Sequence, residues 1–187
     1  MSPPAALPTG TVLRYGALGL PLAFAALPIY VHVPKLYAEG FGLSLSLVGG
    51  ILLATRIVDA LADPFIGWAS DRFSHRRQLI ALALPLLALG LVGLLVPPAG
   101  AGGTWLAAVL VLVTLGYSVA TINYGAWGVE LGPDADSRTR LVASREGFGL
   151  LGVVLAAALP GVLAAELPAG LARLAWLFRS EEHTSEL

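Results

Sequence analysis

Three ionisable side chains interrupt an otherwise apolar stretch, LLATRIVDALADPFIGWASDRFSHRR, running from Leu52 to Arg77. Arg56, Asp59 and Asp63 follow one another at spacings of three and four, which places them on one face of a helix. At membrane depth each would cost about 2.5–3.5 kcal/mol to insert near a helix centre. A chain tolerates that when the groups pair or line a polar cavity. The bland outcome is an Arg56–Asp59 ion pair that holds helices together; the other is a buried polar site. The stretch ends in a loop carrying Asp71, Arg72, Arg76 and Arg77.

Other chemistries find no support. There is no cysteine, and His32, His75 and His183 are too scattered for a metal site. No nucleophile–base pair, phosphate loop or zinc motif is present, so neither an enzyme nor a cofactor is expected. No basic stripe suggests nucleic acid.

The elements that must position the three charges are membrane helices. The chain has 187 residues, 57% hydrophobic and 12% charged, where soluble domains carry about 25% charged residues. Apolar segments are expected at about 12–33, 44–69, 78–96, 104–129 and 141–165, with a sixth, 169–178, too short to cross a bilayer. Pro21 and Pro28 should kink the first. Ser44 or Ser46 should cap the second. Arg14, Arg72, Arg76, Arg77, Arg138 and Arg140 fall on one side of these segments and Lys35 on the other. The positive-inside rule then puts the N-terminus and the second–third and fourth–fifth loops in the cytoplasm. An all-α, multi-pass protein of the cell inner (plasma) membrane follows, with the lipid bilayer as a partner.

The chain closes on RSEEHTSEL. It resembles the in-frame translation of a sequencing-adapter sequence, so residues 179–187 are expected to be a non-native tail and natural sequence to end at Phe178.

The loop GWASDRFSHRR resembles the signature between helices two and three of the major facilitator superfamily, matching at Gly67, Asp71, Arg72, Arg76 and Arg77 and departing at Ser74 and His75. Gly67 would let helices approach closely, Asp71 would accept bonds at a helix end, and the arginines would stay in water and fix topology. More narrowly, ATRIVDALADPFIGWASDR is similar to helix two of the glycoside–pentoside–hexuronide:cation symporters, the melibiose permease family. Tyr15-Gly16, Gly42-Leu43-Ser44, YSVATINYGAW (Tyr117 to Trp127) and SRTRLVASR (Ser137 to Arg145) support the likeness. It covers about residues 13 to 178. The fold implied is the N-terminal half of a twelve-helix transporter: five full transmembrane helices plus a truncated sixth, with the C-terminal half of the same protein as the missing partner.

The resemblance also implies roles. Asp59 and Asp63 match carboxylates that bind a coupling cation, and one helical turn lets their oxygens converge on one Na⁺ or share a proton. Ser118 matches a hydroxyl at that site, unless it bonds its own backbone. Arg145 matches a cavity-facing arginine that would bind substrate or pair with Asp59 or Asp63; the alternative is an interfacial arginine snorkelling to the cytoplasm. Thr121 is a further candidate substrate residue, and Tyr30, Tyr124 and Trp127 could stack on a substrate ring or, being amphipathic, simply sit at the bilayer interface. No acid occurs from Met1 to Lys35, and Thr121 stands where melibiose-type relatives carry an acid. The carboxylate grip on a sugar is thereby weakened, which argues against a galactoside. The function implied is cation-coupled symport of a sugar or other small solute by alternating access, with Na⁺ or H⁺ as the coupling ion. The alternative is a non-transporting membrane scaffold or partner-binding half.

Overall fold

The computed structural model of the chain describes residues 7–73 and 75–182, with side chains as far as Ala158 apart from Pro28. Ser74 and the end of the expected tail, 183–187, therefore lie outside the described residues, as do the side chains of 159–182. Every regular element described is helical: α1 (Thr9–Ala17), α2 (Gly19–Lys35) continued by a π turn (Leu36–Gly40), α3 (Leu45–Phe73), α4 (Arg76–Leu95), α5 (Gly103–Leu131) and α6 (Ala135–Glu182). Five stretches are long and apolar enough to cross a membrane: Thr9–Gly40, Leu45–Phe73, Arg76–Leu95, Gly103–Leu131 and Ala135–Ala158. The break expected near 165–169 does not occur in the backbone, since α6 is one helix. Proline in a membrane helix removes a single ladder bond without stopping the helix, so Pro168 is weak punctuation.

Local chemistry sets the seams. Pro21 cannot donate to the carbonyl of Ala17 and crowds it, so the ladder lapses at Leu18, whose N–H reaches the Tyr15 carbonyl at 3.3 Å. At the other end of this first span Gly42 adopts φ 68°, a left-handed conformation that a side chain would resist. Leu43 N–H then closes onto the Tyr37 carbonyl at 3.1 Å. Of the two candidate caps, Ser44 serves α3: its Oγ accepts from Leu47 N–H at 3.2 Å. Asp134 does the same for α6, accepting from Ser137 N–H at 2.7 Å. That backbone bond holds the Asp134 carboxyl below its ordinary value.

Helix α5 packs between α3 and α4, while α6 lies along α1 and α2. Small residues allow both approaches, as expected where lipid supplies no hydrophobic drive between helices. A Cβ on Gly152 would sit 2.3 Å from the Leu20 carbonyl oxygen, and one on Gly116 would sit 3.3 Å from the Leu87 backbone nitrogen. Two tyrosines join the groups. Tyr15 OH donates to the Tyr124 carbonyl at 3.1 Å, and Tyr124 OH donates to the Tyr15 carbonyl at 2.7 Å.

The pattern on α3 is inverted relative to a water-soluble helix. Its buried residues are Val48, Thr55, Asp59 and Ser70, while Leu53, Ile57, Leu61, Phe65 and Trp68 are exposed. In a bilayer the apolar side chains face the solvent and the polar ones must find partners inside.

Candidate functional site

The polar stripe of α3 meets α5 at two levels. At the first, Asp59 is held on both carboxylate oxygens. Arg56 Nη1 donates to Oδ2 at 3.1 Å, and Ser118 Oγ from α5 donates to Oδ1 at 2.5 Å. Asp59 and Ser118 are both buried. Ser118 therefore bonds across the helix interface and not to its own backbone. Arg56 is half-exposed, with its guanidinium 4.8 Å from the centroid of the Tyr30 ring on α2. One turn along α3, Asp63 Oδ1 is buried and has no hydrogen-bond partner. A buried carboxylate oxygen without a donor is costly, so this atom asks for a proton or a cation. Among the described residues no group of three or more His, Cys, Asp or Glu side chains could hold a metal ion. The polar groups at this part of α3 are two carboxylates and a hydroxyl, all hard oxygen ligands.

Two clefts flank this level and share Tyr117 of α5. One is lined by Tyr30, Thr55, Arg56, Thr114 and Tyr117 among apolar neighbours. The second, about 260 Å³, lies between α2, α5 and α6 and is lined by Tyr117, Thr121, Tyr124, Arg145 and Glu146, with Gly19, Leu22, Ala23 and Gly149. Arg145 does not reach Asp59 or Asp63. It pairs with its neighbour Glu146 at 2.7 Å, and its guanidinium lies 6.0 Å from the Tyr124 ring centroid. Thr121 Oγ1 donates to its own helix at the Tyr117 carbonyl, 2.9 Å away, which leaves the oxygen lone pairs facing the cleft as acceptors.

The second level is at the α3–α4 turn. Ser70 Oγ donates to Asn123 Oδ1 of α5. Arg76 gathers three partners there: Nη1 to Ser70 Oγ at 3.0 Å, Nη2 to Asp71 Oδ1 at 2.9 Å, and Nε to Glu130 at the end of α5. Through Ser70 the cluster reaches Asn123, whose Nδ2 donates to the Val119 carbonyl at 2.8 Å.

Two loop expectations and one for Trp127 meet a different geometry. Arg76 does not stay in water: its side chain is 15% exposed because two carboxylates enclose it. Arg72 and Arg77 are exposed as expected. Gly67 makes no close approach within the described chain, since a Cβ there meets no atom within 4 Å. Trp127 joins neither cleft beside Asp59. It sits under the Arg77 guanidinium, 4.9 Å from ring centroid to cation, and edge-on to Tyr15 at 5.4 Å.

The structure thus joins Asp59 to Ser118, leaves Asp63 one turn along α3, and brings Thr121, Tyr124 and Arg145 to one cleft. It puts Tyr30 in the neighbouring cleft with Arg56 and Trp127 at the far end. Residues that local spacing does not reveal are Glu130, Asn123 and Tyr117, all on α5, and Glu146. Only Glu146 carried a signal, as a carboxylate beside Arg145 inside an apolar run.

A family described as MFS/sugar transport protein matches residues 13–179. An uncharacterized symporter of Bacillus subtilis (strain 168), YnaJ, is 33% identical over 138 residues, covering 70% of this chain and 30% of the relative. An uncharacterized symporter of Synechocystis sp. (strain ATCC 27184 / PCC 6803 / Kazusa), sll1374, is 28% identical over 171 residues, covering 84% of this chain and 31% of the relative. The chain thus spans about 30% of the length of these curated relatives. No solved structure matches it.

Proposed function

The chain belongs to the MFS/sugar transport protein family, and we propose from that premise that it forms part of a secondary active transporter. It would carry a sugar or other small hydroxylated solute together with Na⁺ or H⁺, by alternating access. Further helices of the complete protein would supply the opposite wall of the cavity, and the two halves would rock about the bound solute. The arginine-rich ends of the helices support a cytoplasmic N-terminus, and a cell inner membrane fits a gradient-driven carrier.

The observation that carries this reading is the carboxylate pair on α3. Asp59 is fixed by Ser118 and Arg56, while Asp63, one turn away, has a buried oxygen without a donor. A proton or Na⁺ arriving there would relieve that cost, one helical turn from Asp59. Solute would bind in the adjoining cleft of Tyr117, Thr121, Tyr124 and Arg145. Tyr117 lines both clefts, so occupancy beside Arg56 and occupancy beside Arg145 meet on one side chain.

The test uses the complete protein in proteoliposomes, with Asp59→Asn and Asp63→Asn each compared with wild type. Gradient-driven accumulation should fall to background in both, while solute exchange across an equilibrated membrane survives in at least one. Varying the Na⁺ and pH gradients separately identifies the ion. Undiminished accumulation in both variants counts decisively against the coupling assignment.

A further inference from the structure

The cleft between α2, α5 and α6 contains a carboxylate that cation coupling does not use. Glu146 and Arg145 line it together. Arg145 Nε and Nη2 both donate to Glu146 Oε1, at 3.1 and 2.7 Å, which leaves Oε2 able to accept from a ligand. Consecutive residues of a helix do not face each other, so the two side chains meet by bending into the same cleft.

Packing does not account for Glu146. Its side chain is 63% exposed and that of Arg145 36%, and so open an ion pair contributes little to stability. Yet it sits within the span Ala135–Ala158, where an ionisable group is costly unless it faces a polar cavity. The remaining cleft groups relevant to binding are neutral: Ala23, Tyr117, Thr121 and Tyr124. The cleft therefore holds one positive and one negative charge side by side and no net charge. That edge matches adjacent hydroxyls, one donating to the carboxylate and the next accepting from the guanidinium, with the Tyr124 ring as an apolar wall. A carboxylated solute would meet Glu146 as a like charge.

We propose that Glu146 is the specificity-determining carboxylate of this cleft, selecting uncharged solutes with vicinal hydroxyls and excluding their carboxylated counterparts. This rests on the transporter reading above. The test is counterflow by the complete protein in liposomes without an ion gradient. The probes are methyl glucoside, galactoside and mannoside, set against the corresponding methyl hexuronides. Wild type should exchange a neutral glycoside in preference to its hexuronide. Glu146→Gln should lower neutral exchange about tenfold or more, the loss expected for a bond to a charged group, and should raise the hexuronide-to-glycoside ratio because Arg145 loses its counter-charge. If Glu146→Gln fails to reach the membrane, Glu146→Asp decides. It should keep the neutral preference with a smaller loss, and exchange equal to wild type would overturn the proposal. A wild type that prefers hexuronides, or a Glu146→Gln variant unchanged for both classes, overturns it while leaving transport intact. A wild type that exchanges neither class removes the transporter reading together with it.

Discussion

Replacing Ser118 by alanine tests whether Asp59 is held as a buried charge. The Ser118 hydroxyl lies 2.5 Å from Asp59 Oδ1, and the two residues are only 5% and 8% exposed. Water cannot easily substitute for the lost donor. A hydrogen bond to a charged group contributes about 1.5–3 kcal/mol. Arg56 offers little compensation, because its side chain is 52% exposed and such pairs are worth about 0–1 kcal/mol. Ser118→Ala should therefore cost about 1.5–3 kcal/mol in the wild-type background. With Asp59→Asn already present the bond is neutral, worth about 0.5–1.5 kcal/mol, so the same change should cost about 1 kcal/mol less. The assay is SDS-titrated unfolding of the four proteins in mixed micelles, read as a double-mutant cycle. A cation that uses Asp59 should also bind about ten- to hundredfold more weakly to Ser118→Ala, since about 1.4 kcal/mol corresponds to tenfold. Equal costs of Ser118→Ala in the two backgrounds would refute a charged Asp59 held by this hydroxyl.

Two further contrasts follow from the geometry. Gly152→Ala places a Cβ 2.3 Å from the Leu20 carbonyl oxygen; both sides are backbone, so α2 and α6 must separate, and a loss of about 1–3 kcal/mol is expected in the same unfolding assay. Gly67→Ala meets nothing within 4 Å and should gain up to about 1 kcal/mol from helix propensity; a loss would reveal a segment outside the described residues packing there. At the α3–α4 turn, Arg76→Gln should cost about 1–2 kcal/mol, because a largely buried guanidinium with three bonded partners is lost but both carboxylates can return to water. Arg77→Gln, which loses only an exposed contact with Trp127, should cost less than about 1 kcal/mol. Equal effects of the two arginine changes would contradict the hub role of Arg76.

What the sequence discloses is bounded by sequence distance. Arg56, Asp59 and Asp63 lie within two helical turns, so their shared face follows from helical spacing alone, and the structure adds that Arg56 takes Asp59 and leaves Asp63 unbonded. The partners from α5 come from far along the chain: Ser118 to Asp59, Asn123 to Ser70 and Glu130 to Arg76 are separated by 59, 53 and 54 residues. No spacing rule reaches them. Composition and charge asymmetry reveal the spans, because a bilayer demands long apolar helices whatever they pack against. They do not reveal that Arg76 is enclosed, since an arginine at a helix end satisfies the positive-inside pattern equally well in water or between two carboxylates. Gly67 shows the same limit, since no described atom of this chain approaches it. Glycine marks a close approach in Gly16, Gly116 and Gly152, but the residue type alone cannot say which neighbour approaches.

The inverted pattern of α3 explains why its polar residues, and not its apolar ones, locate the site. In water a helix reveals its buried face by its hydrophobic stripe. Here the stripe facing lipid is as apolar as any core, and hydrophobicity barely distinguishes the faces. The distinguishing signal is where ionisable and hydroxyl groups repeat at helical spacing: Thr55, Asp59, Asp63 and Ser70 fall at intervals of four, four and seven. Three of these four are fully buried. Thr55 donates to its own helix at the Leu52 carbonyl, while α5 answers Asp59 with Ser118 and Ser70 with Asn123. Asp63 is the member of the stripe left with an unmatched oxygen. A stripe in which all positions but one are satisfied by protein is the arrangement expected where the last partner comes and goes. Protein packing alone would gain by replacing Asp63 with an apolar residue of similar volume. Its unmatched oxygen beside a fixed Asp59 is what the proposed exchanging proton or cation would account for.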